Sequence, residues 1–448
     1  MSIRKIICAL LALVMLITAC AATLADDLDL QAKLDAANQR IEELEAEVEL
    51  YRPFYEAQIL AEFGDGGIVW LADAQAAYDE EVNYYTNAGY SISGYESYIK
   101  RGVLQNLVRQ AILEAKAEEL GLKALSEADL EELGANADDI LNQYVEAYSQ
   151  YFATEGASDE ETRQATLEYL ASAGLTKEVL IDELSSDRWS DALYQYAIDG
   201  VAVTDEEVRA RYEQLVADGE ASYANSDYSY NSDRMNGELI AWNPEGYRSV
   251  THVLVKFDSD QTSQYKALQS SLSTYQKELE ALDTEPAEGE ERRDRGDIEA
   301  DIAATSVELD ALYAALLPRA EAVIEAFNGG ADFGALIDEY GEDPGMDDPQ
   351  TRADGYAVAA NSTTWDQAFT DGAMSIEAVG GISGPVYGAN GIHIIYYQSD
   401  ITPGPVPFED IAETVSAMAL EQKVSDTYNS QVEAWIEEAA PVYHYDRF

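Results

Sequence analysis

The 448-residue sequence holds two cysteines and three histidines. Cys8 lies inside an N-terminal apolar run, and once that run is removed only Cys20 is left, so no disulfide can close within the mature chain. The fold must rest on its core. Cations are scarce too: 27 Lys and Arg stand against 86 Asp and Glu, a formal charge of −59, which becomes −61 when Arg4 and Lys5 leave with the apolar run. Phosphate binding needs a basic footprint, so nucleic acid is excluded as a partner, and solubility with weak attraction of cations is the ordinary consequence. No loop has the pattern D-x-D-x-D-G-x5-E, so no dedicated calcium site is expected, and neither a metal nor a cofactor is implied. Unbroken hydrophobic runs are also lacking, apart from Ile6 to Ile17, which is too short to span a bilayer comfortably.

That run follows Arg4 and Lys5 and precedes Thr18, Ala19 and Cys20, so residues 1–19 read as a signal peptide. The ending LITAC resembles the lipobox of bacterial lipoproteins. The resemblance implies a lipid on Cys20, which would anchor the chain at the extracytoplasmic face of a cell membrane; two acyl chains suffice for stable anchoring. Within residues 20–52, Leu30, Leu34, Ala37, Ile41, Leu44, Val48 and Tyr51 alternate at spacings of four and three. This seam suits a short coiled-coil stalk, through which the chain could form a homo-oligomer, and equally a single amphipathic helix packed on the next domain. Pro53 is expected to end it.

Residues 53–240 read as helical. Val103, Leu107, Ile112 and Leu113 mark an apolar face, and Thr204 with Glu207 fits a capping box. Tyrosine is abundant here, as in YVEAYSQYF, either as an adaptable surface for client chains or as an ordinary half-buried helix surface. At 248 the texture changes to RSVTHVLVKF, a β-branched strand carrying His252. Two heptad seams follow, Tyr265 to Leu282 and Ile298 to Leu316, separated by a polar loop, which predicts an antiparallel helical hairpin over 258–317 that can be cut out without loss of the surrounding fold. Pro318 fits the first turn of a new helix. The second histidine of interest, His393, sits in the apolar run NGIHIIYY.

The order of segments from 248 on carries more than any one of them. THVLV is followed by a helix ending in FNGGADF, then YGEDPG, WDQAF, GGISGPV and GIHII. This order resembles a parvulin-type peptidyl-prolyl isomerase. The flanks RGVLQNLVRQAILEAKAEELGL and FEDIAETVSAMALEQKVSDTYNSQVEAW resemble the helical domain of the PrsA/SurA class of extracytoplasmic foldases. The resemblance implies an α+β fold. A helical chaperone domain, built from residues 53–240 and the C-terminal segment 403–448, would accompany a parvulin-like domain over 248–402. The latter would have a small antiparallel sheet flanked by helices, with the hairpin as an insertion. It also implies the site: His252 and His393 as a paired couple, Asp343 facing the bond that rotates, and Phe369 on the proline ring. Trp365 stands where Met is usual, and Met374 occupies a further apolar position. The substrate would be an X-Pro bond in unfolded or newly secreted polypeptides, with a chaperone lacking isomerase activity as the alternative. Two departures stand out: TRADGY replaces the family's G-G-D-L-G and keeps only Gly355 and an aromatic, and Gly388 replaces a Thr often found five residues before the second histidine.

Overall fold

The computed structural model describes residues 28–153, 158–284 and 291–448, so the signal run and Cys20 lie outside the described residues. Contacts divide the chain into two units. One holds the residues up to Ala202 together with Glu421–Phe448, and the other holds Val203–Leu420.

The first unit begins with one helix, α1 (Leu28–Glu56), which runs past Pro53 instead of stopping there. A proline removes only its own N–H donor, and the amides of residues 54–56 can still reach the carbonyls of 50–52. Leu50, Tyr51 and Phe54 at its end are exposed. The segment 59–70, expected to be helical, is an antiparallel pair of strands, β1 (Ile59–Phe63) and β2 (Gly67–Trp70), and the short strand Val442–Tyr443 adds to β1. Five helices follow: α2 (Leu71–Asn87), α3 (Glu96–Glu119), α4 (Glu127–Ser149), α5 (Asp159–Ser172) and α6 (Lys177–Ile198). Ser126 and Ser158 start α4 and α5 with complete capping boxes, each satisfying amides that a helix start leaves open. The buried stripe of α3 is Leu104, Val108, Ile112 and Ala117, so Val103, Leu107 and Leu113 flank it at half burial. These residues share a core with Leu60, Leu193, Val432 and Trp435. Tyr84, Tyr90, Tyr95 and Tyr98 are exposed.

The second unit starts earlier than the sequence boundary at 240. It takes in α7 (Asp205–Tyr223), whose Thr204–Glu207 capping box is present, and α8 (Asp227–Met235). Then come β3 (Trp242–Asn243), β4 (Arg248–Lys256), α9 (Ser259–Ala281), α10 (Arg295–Asn328), α11 (Phe333–Tyr340), α12 (Pro349–Asp354), β5 (Tyr356–Val358), α13 (Gln367–Met374), β6 (Val386–Gly388), β7 (Gly391–Asp400) and β8 (Gly404–Pro405). The last helix, α14 (Phe408–Ala439), belongs to this unit up to Leu420 and to the first unit from Glu421. Strands β5, β4, β7 and β6 form an antiparallel sheet in that order. Both of its faces are covered, so β4 and β7 read as nearly continuous apolar runs. Val253, Val255, Ile392 and Ile394 pack beneath α10 and α11, and Val250, Ile395 and Tyr397 pack with α13.

Helix α10 corrects two boundaries at once. Pro318 is inside it, with no new helix starting there, and the hairpin therefore does not end at 317. The proline leaves the Ala314 carbonyl without its helical donor, a loss of about 3 kcal/mol in a helix interior. Burial of Leu312, Leu316, Ala320 and Val323 to either side of the proline keeps the helix continuous. Leu312, Tyr313 and Leu316 are thus part of the sheet's own core, and cutting out 258–317 would remove them. Each such loss costs about 2–4 kcal/mol, so that deletion is expected to unfold the unit. A shorter one, replacing 270–308 with a Gly-Ser linker, should leave the thermal melt followed by circular dichroism close to that of the full chain. Loss of the cooperative transition in the shorter deletion would contradict this division.

Candidate active site

Strands β4 and β7 bring the two histidines together across a sequence separation of 141 residues. His252 pairs in register with Ile395 and Leu254 with His393, a diagonal offset that puts both rings on the same face of the sheet. The rings lie 5.0 Å apart between centroids, and their Nδ1 atoms are 3.0 Å apart, a hydrogen bond. Both residues are almost fully buried, at 3% and 5% exposure.

Asp343 reaches them from the loop after α11. That loop is tied to the end of β4, because Glu342 N donates to Leu254 O at 3.0 Å and Glu342 Oε2 accepts from Lys256 N at 2.7 Å. Asp343 Oδ2 then accepts from His252 Nε2 at 2.8 Å and from the Tyr356 hydroxyl at 2.8 Å. Burial pushes the Asp343 carboxyl up, but the His252 hydrogen bond and charge, with the Tyr356 hydrogen bond, outweigh it and hold the pKa at about 2. Burial, then the neighbouring His252, pushes His393 down to about 3. Burial and Asp343 push the Tyr356 phenol up, keeping it a donor. A chain of hydrogen bonds thus runs Tyr356, Asp343, His252, His393.

Tyr356 was not singled out as a site residue in the sequence, where only its aromatic character was visible. The departure TRADGY keeps what this geometry requires. Gly355 sits at φ 69°, and a Cβ there would come within 2.1 Å of Ser249 Oγ, so a side chain is barred, while Tyr356 supplies the hydroxyl for Asp343.

Phe369 closes the site from α13. Its ring meets His252 and His393 edge-on, at 5.1 and 5.2 Å between centroids, and it is 3% exposed. Trp365 is half-buried, packs at a tilt against Tyr356 with ring centroids 4.4 Å apart and donates its indole N–H to Ala357 O at 2.9 Å. Met374 is a half-buried member of the same apolar cluster. Arg248 donates to the carbonyls of Ala373 and Ile376 at 3.0 and 2.9 Å, pinning the end of α13.

A second residue missed by the sequence is Asp227, at the start of α8. Its Oδ1 accepts from Tyr247 Oη, Ser362 Oγ and Asn231 Nδ2, and its Oδ2 from the amides of Thr363 and Thr364 and from Thr364 Oγ1, all within 3.0 Å. This carboxylate fixes the loop that delivers Trp365. The Tyr-rich stretch around it gives no hint, since its partners in that loop are 135 to 137 residues further on. Replacing Asp227 with alanine strands those donors and is expected to cost about 2–3 kcal/mol. Urea unfolding would measure the loss, with a red shift of Trp emission from the freed loop; an unchanged midpoint would contradict the assignment.

Among the described residues, no group of three or more His, Cys, Asp or Glu is placed to hold a metal ion, and no helix is long and apolar enough to cross a membrane. No family model matches the chain, and no curated protein does. Similar solved structures are PrsA foldases and SurA-like chaperones. PrsA from Bacillus subtilis is 16% identical over 86% of this chain and 93% of its own, with a TM-score of 0.23. The foldase protein PrsA from Streptococcus pneumoniae is 14% identical over 84% and 91%, with a TM-score of 0.21. A SurA-like chaperone of Campylobacter jejuni is 10% identical over 86% and 98%, with a TM-score of 0.29.

Proposed function

We propose that this chain is an extracytoplasmic foldase, anchored by lipid on Cys20, that isomerises X-Pro bonds and holds unfolded secreted polypeptides. The observation that carries the isomerase reading is the hydrogen-bonded chain from Tyr356 through Asp343 and His252 to His393, closed by Phe369. Rotating an X-Pro amide costs about 18–20 kcal/mol because resonance is lost, and no covalent bond is made or broken. The task is to desolvate the amide and hold it. A wall of Phe369, Trp365 and Met374 suits the proline ring and favours the less dipolar twisted amide. The histidine pair keeps Asp343 in register as an ionised acceptor already committed to two donors. No nucleophilic role is needed for it.

The exposed tyrosines Tyr84, Tyr90, Tyr95 and Tyr98 support client holding, since tyrosine offers broad amphipathic contact at low entropic cost. The soluble chain from Ala21, assayed by exchange NMR on an unphosphorylated X-Pro peptide, is expected to speed cis/trans exchange. Exchange at the uncatalysed rate, with protection of an aggregating client intact, would instead make it a chaperone with an inactive parvulin domain. For the anchor, a fatty-acid analogue fed to expressing cells should label the wild type and not Cys20→Ala; equal labelling of both would refute it.

A further inference from the structure

His393 has a ring nitrogen that the chain of hydrogen bonds does not use. Its Nε2 is buried and has no hydrogen-bond partner among the described residues, in a residue only 5% exposed. What that atom carries follows from the far end of the chain. Asp343 can only accept, so His252 Nε2 bears a proton. When each ring carries a single proton, His252 Nδ1 is an acceptor, His393 Nδ1 donates to it, and His393 Nε2 is left as a bare lone pair.

A second acceptor, Asp366, lies near that atom. A Cβ on Gly388 would lie 2.7 Å from His393 Nε2 and 2.9 Å from Asp366 Oδ2, so the two atoms are no more than about 5.6 Å apart, within the span of one bridging water. Asp366 Oδ1 is committed to capping α13 through the Phe369 amide at 2.7 Å, while among the described residues Oδ2 meets only the Ala389 amide at 3.4 Å. Two acceptors at this separation are reconciled by a donor with two hydrogens.

We propose that Asp366 is a positioning residue for the histidine pair, acting through one bound water that donates to its Oδ2 and to His393 Nε2 beside Gly388. The water and the carboxylate together take the place of the hydroxyl that a threonine at 388 would supply. Such a threonine does not fit here, because its Cβ would collide with the imidazole. Tyr313 holds the geometry from the other side, its hydroxyl donating to Gly388 O at 3.0 Å. The pair is thereby braced at both ends, by Asp343 directly and by Asp366 through water, and the tautomer of each ring is fixed. The effect on catalysis rests on the isomerase reading, but the tautomer does not.

The test uses the soluble chain with ¹⁵N-labelled histidine, compared with Asp366→Ser and Asp366→Asn. Serine caps a helix as well as aspartate does, so α13 keeps its start while Oδ2 is lost. The wild type should show His393 protonated at Nδ1, with an Nε2 signal displaced from that of a free lone pair by an accepted hydrogen bond. In both variants that signal should move towards the free position or split between tautomers. Isomerase kcat/KM should fall about tenfold in Asp366→Ser, through kcat and not KM. A protonated His393 Nε2 in the wild type, or variant spectra that match it, would overturn the proposal. If the wild type shows no isomerase activity, the proposed function fails and the histidine spectra alone decide this assignment.

Discussion

Replacing Phe369 with alanine is expected to lower stability by about 3–5 kcal/mol, one of the largest single effects available in the second unit. The ring is 3% exposed, touches both histidines edge-on and shares a cluster with Val250, Ala373 and Ile395. Its removal opens a cavity beside two buried imidazoles, and each edge-to-face contact adds about 0.5–1.5 kcal/mol. Denaturant unfolding reads the loss. Because the alanine variant could fail through unfolding alone, Phe369→Leu is the sharper probe: it keeps the site filled with apolar atoms, so its loss of stability is smaller than that of the alanine variant. Its kcat/KM for an X-Pro peptide should still fall about tenfold, because the aromatic face is gone. Wild-type rates in the leucine variant would mean that Phe369 fills the core and does nothing else.

The second large effect is a dependence of stability on acid. His393 is held at about 3 in the folded chain, below its ordinary value of 6.5, by burial and by the neighbouring His252. Between those two pH values the unfolded chain binds a proton at this site that the folded chain refuses. Folding stability contributed by His393 is therefore whole above pH 6.5 and declines by roughly 1.4 kcal/mol per unit as pH falls towards 3. Asp343, held at about 2 against an ordinary 3.8, adds a loss of the same sign that begins only below about pH 4. The global charge acts in the opposite sense, since protonating some of the 86 acidic residues relieves self-repulsion. The observable is thus a difference. His393→Gln has the same charge at pH 7 and no proton to refuse, so the gap in unfolding free energy between wild type and variant should shrink by roughly 3 kcal/mol from pH 6.5 to pH 4.3. A gap that stays constant across that range would refute the assignment.

The four residues of the candidate site could be picked out in the sequence because they are residue types in the order that resembles the parvulin family. His252, Asp343, Phe369 and His393 sit in short segments whose neighbours set their orientation, and the structure gathers all four. Their supports could not be read in this way. Asp227 acts across 137 residues on a loop with no periodicity, and Asp366 looks in the sequence like an ordinary helix cap. Helix ends were legible where capping residues mark them, as at Thr204, and misplaced at Pro53 and Pro318. At Pro318 the local cost of a proline is outweighed by contacts that only the folded chain makes. The strands Ile59–Phe63 and Gly67–Trp70 were read as helix because each is too short to show a period of two.

The helical hairpin also bears on how the sheet is found during folding. Strands β4 and β7 must meet across 141 residues, and the entropy of closing a loop rises only with the logarithm of its length, about 0.6 kcal/mol per doubling. Helices α9 and α10 are neighbours in sequence and can zip together by local contacts, on a timescale far shorter than the search for a distant strand. Once zipped, the hairpin brings Tyr265 and Tyr313 to 6.4 Å, so the chain between them no longer counts as slack. The hairpin therefore adds well under 1 kcal/mol to the search for the partner strand.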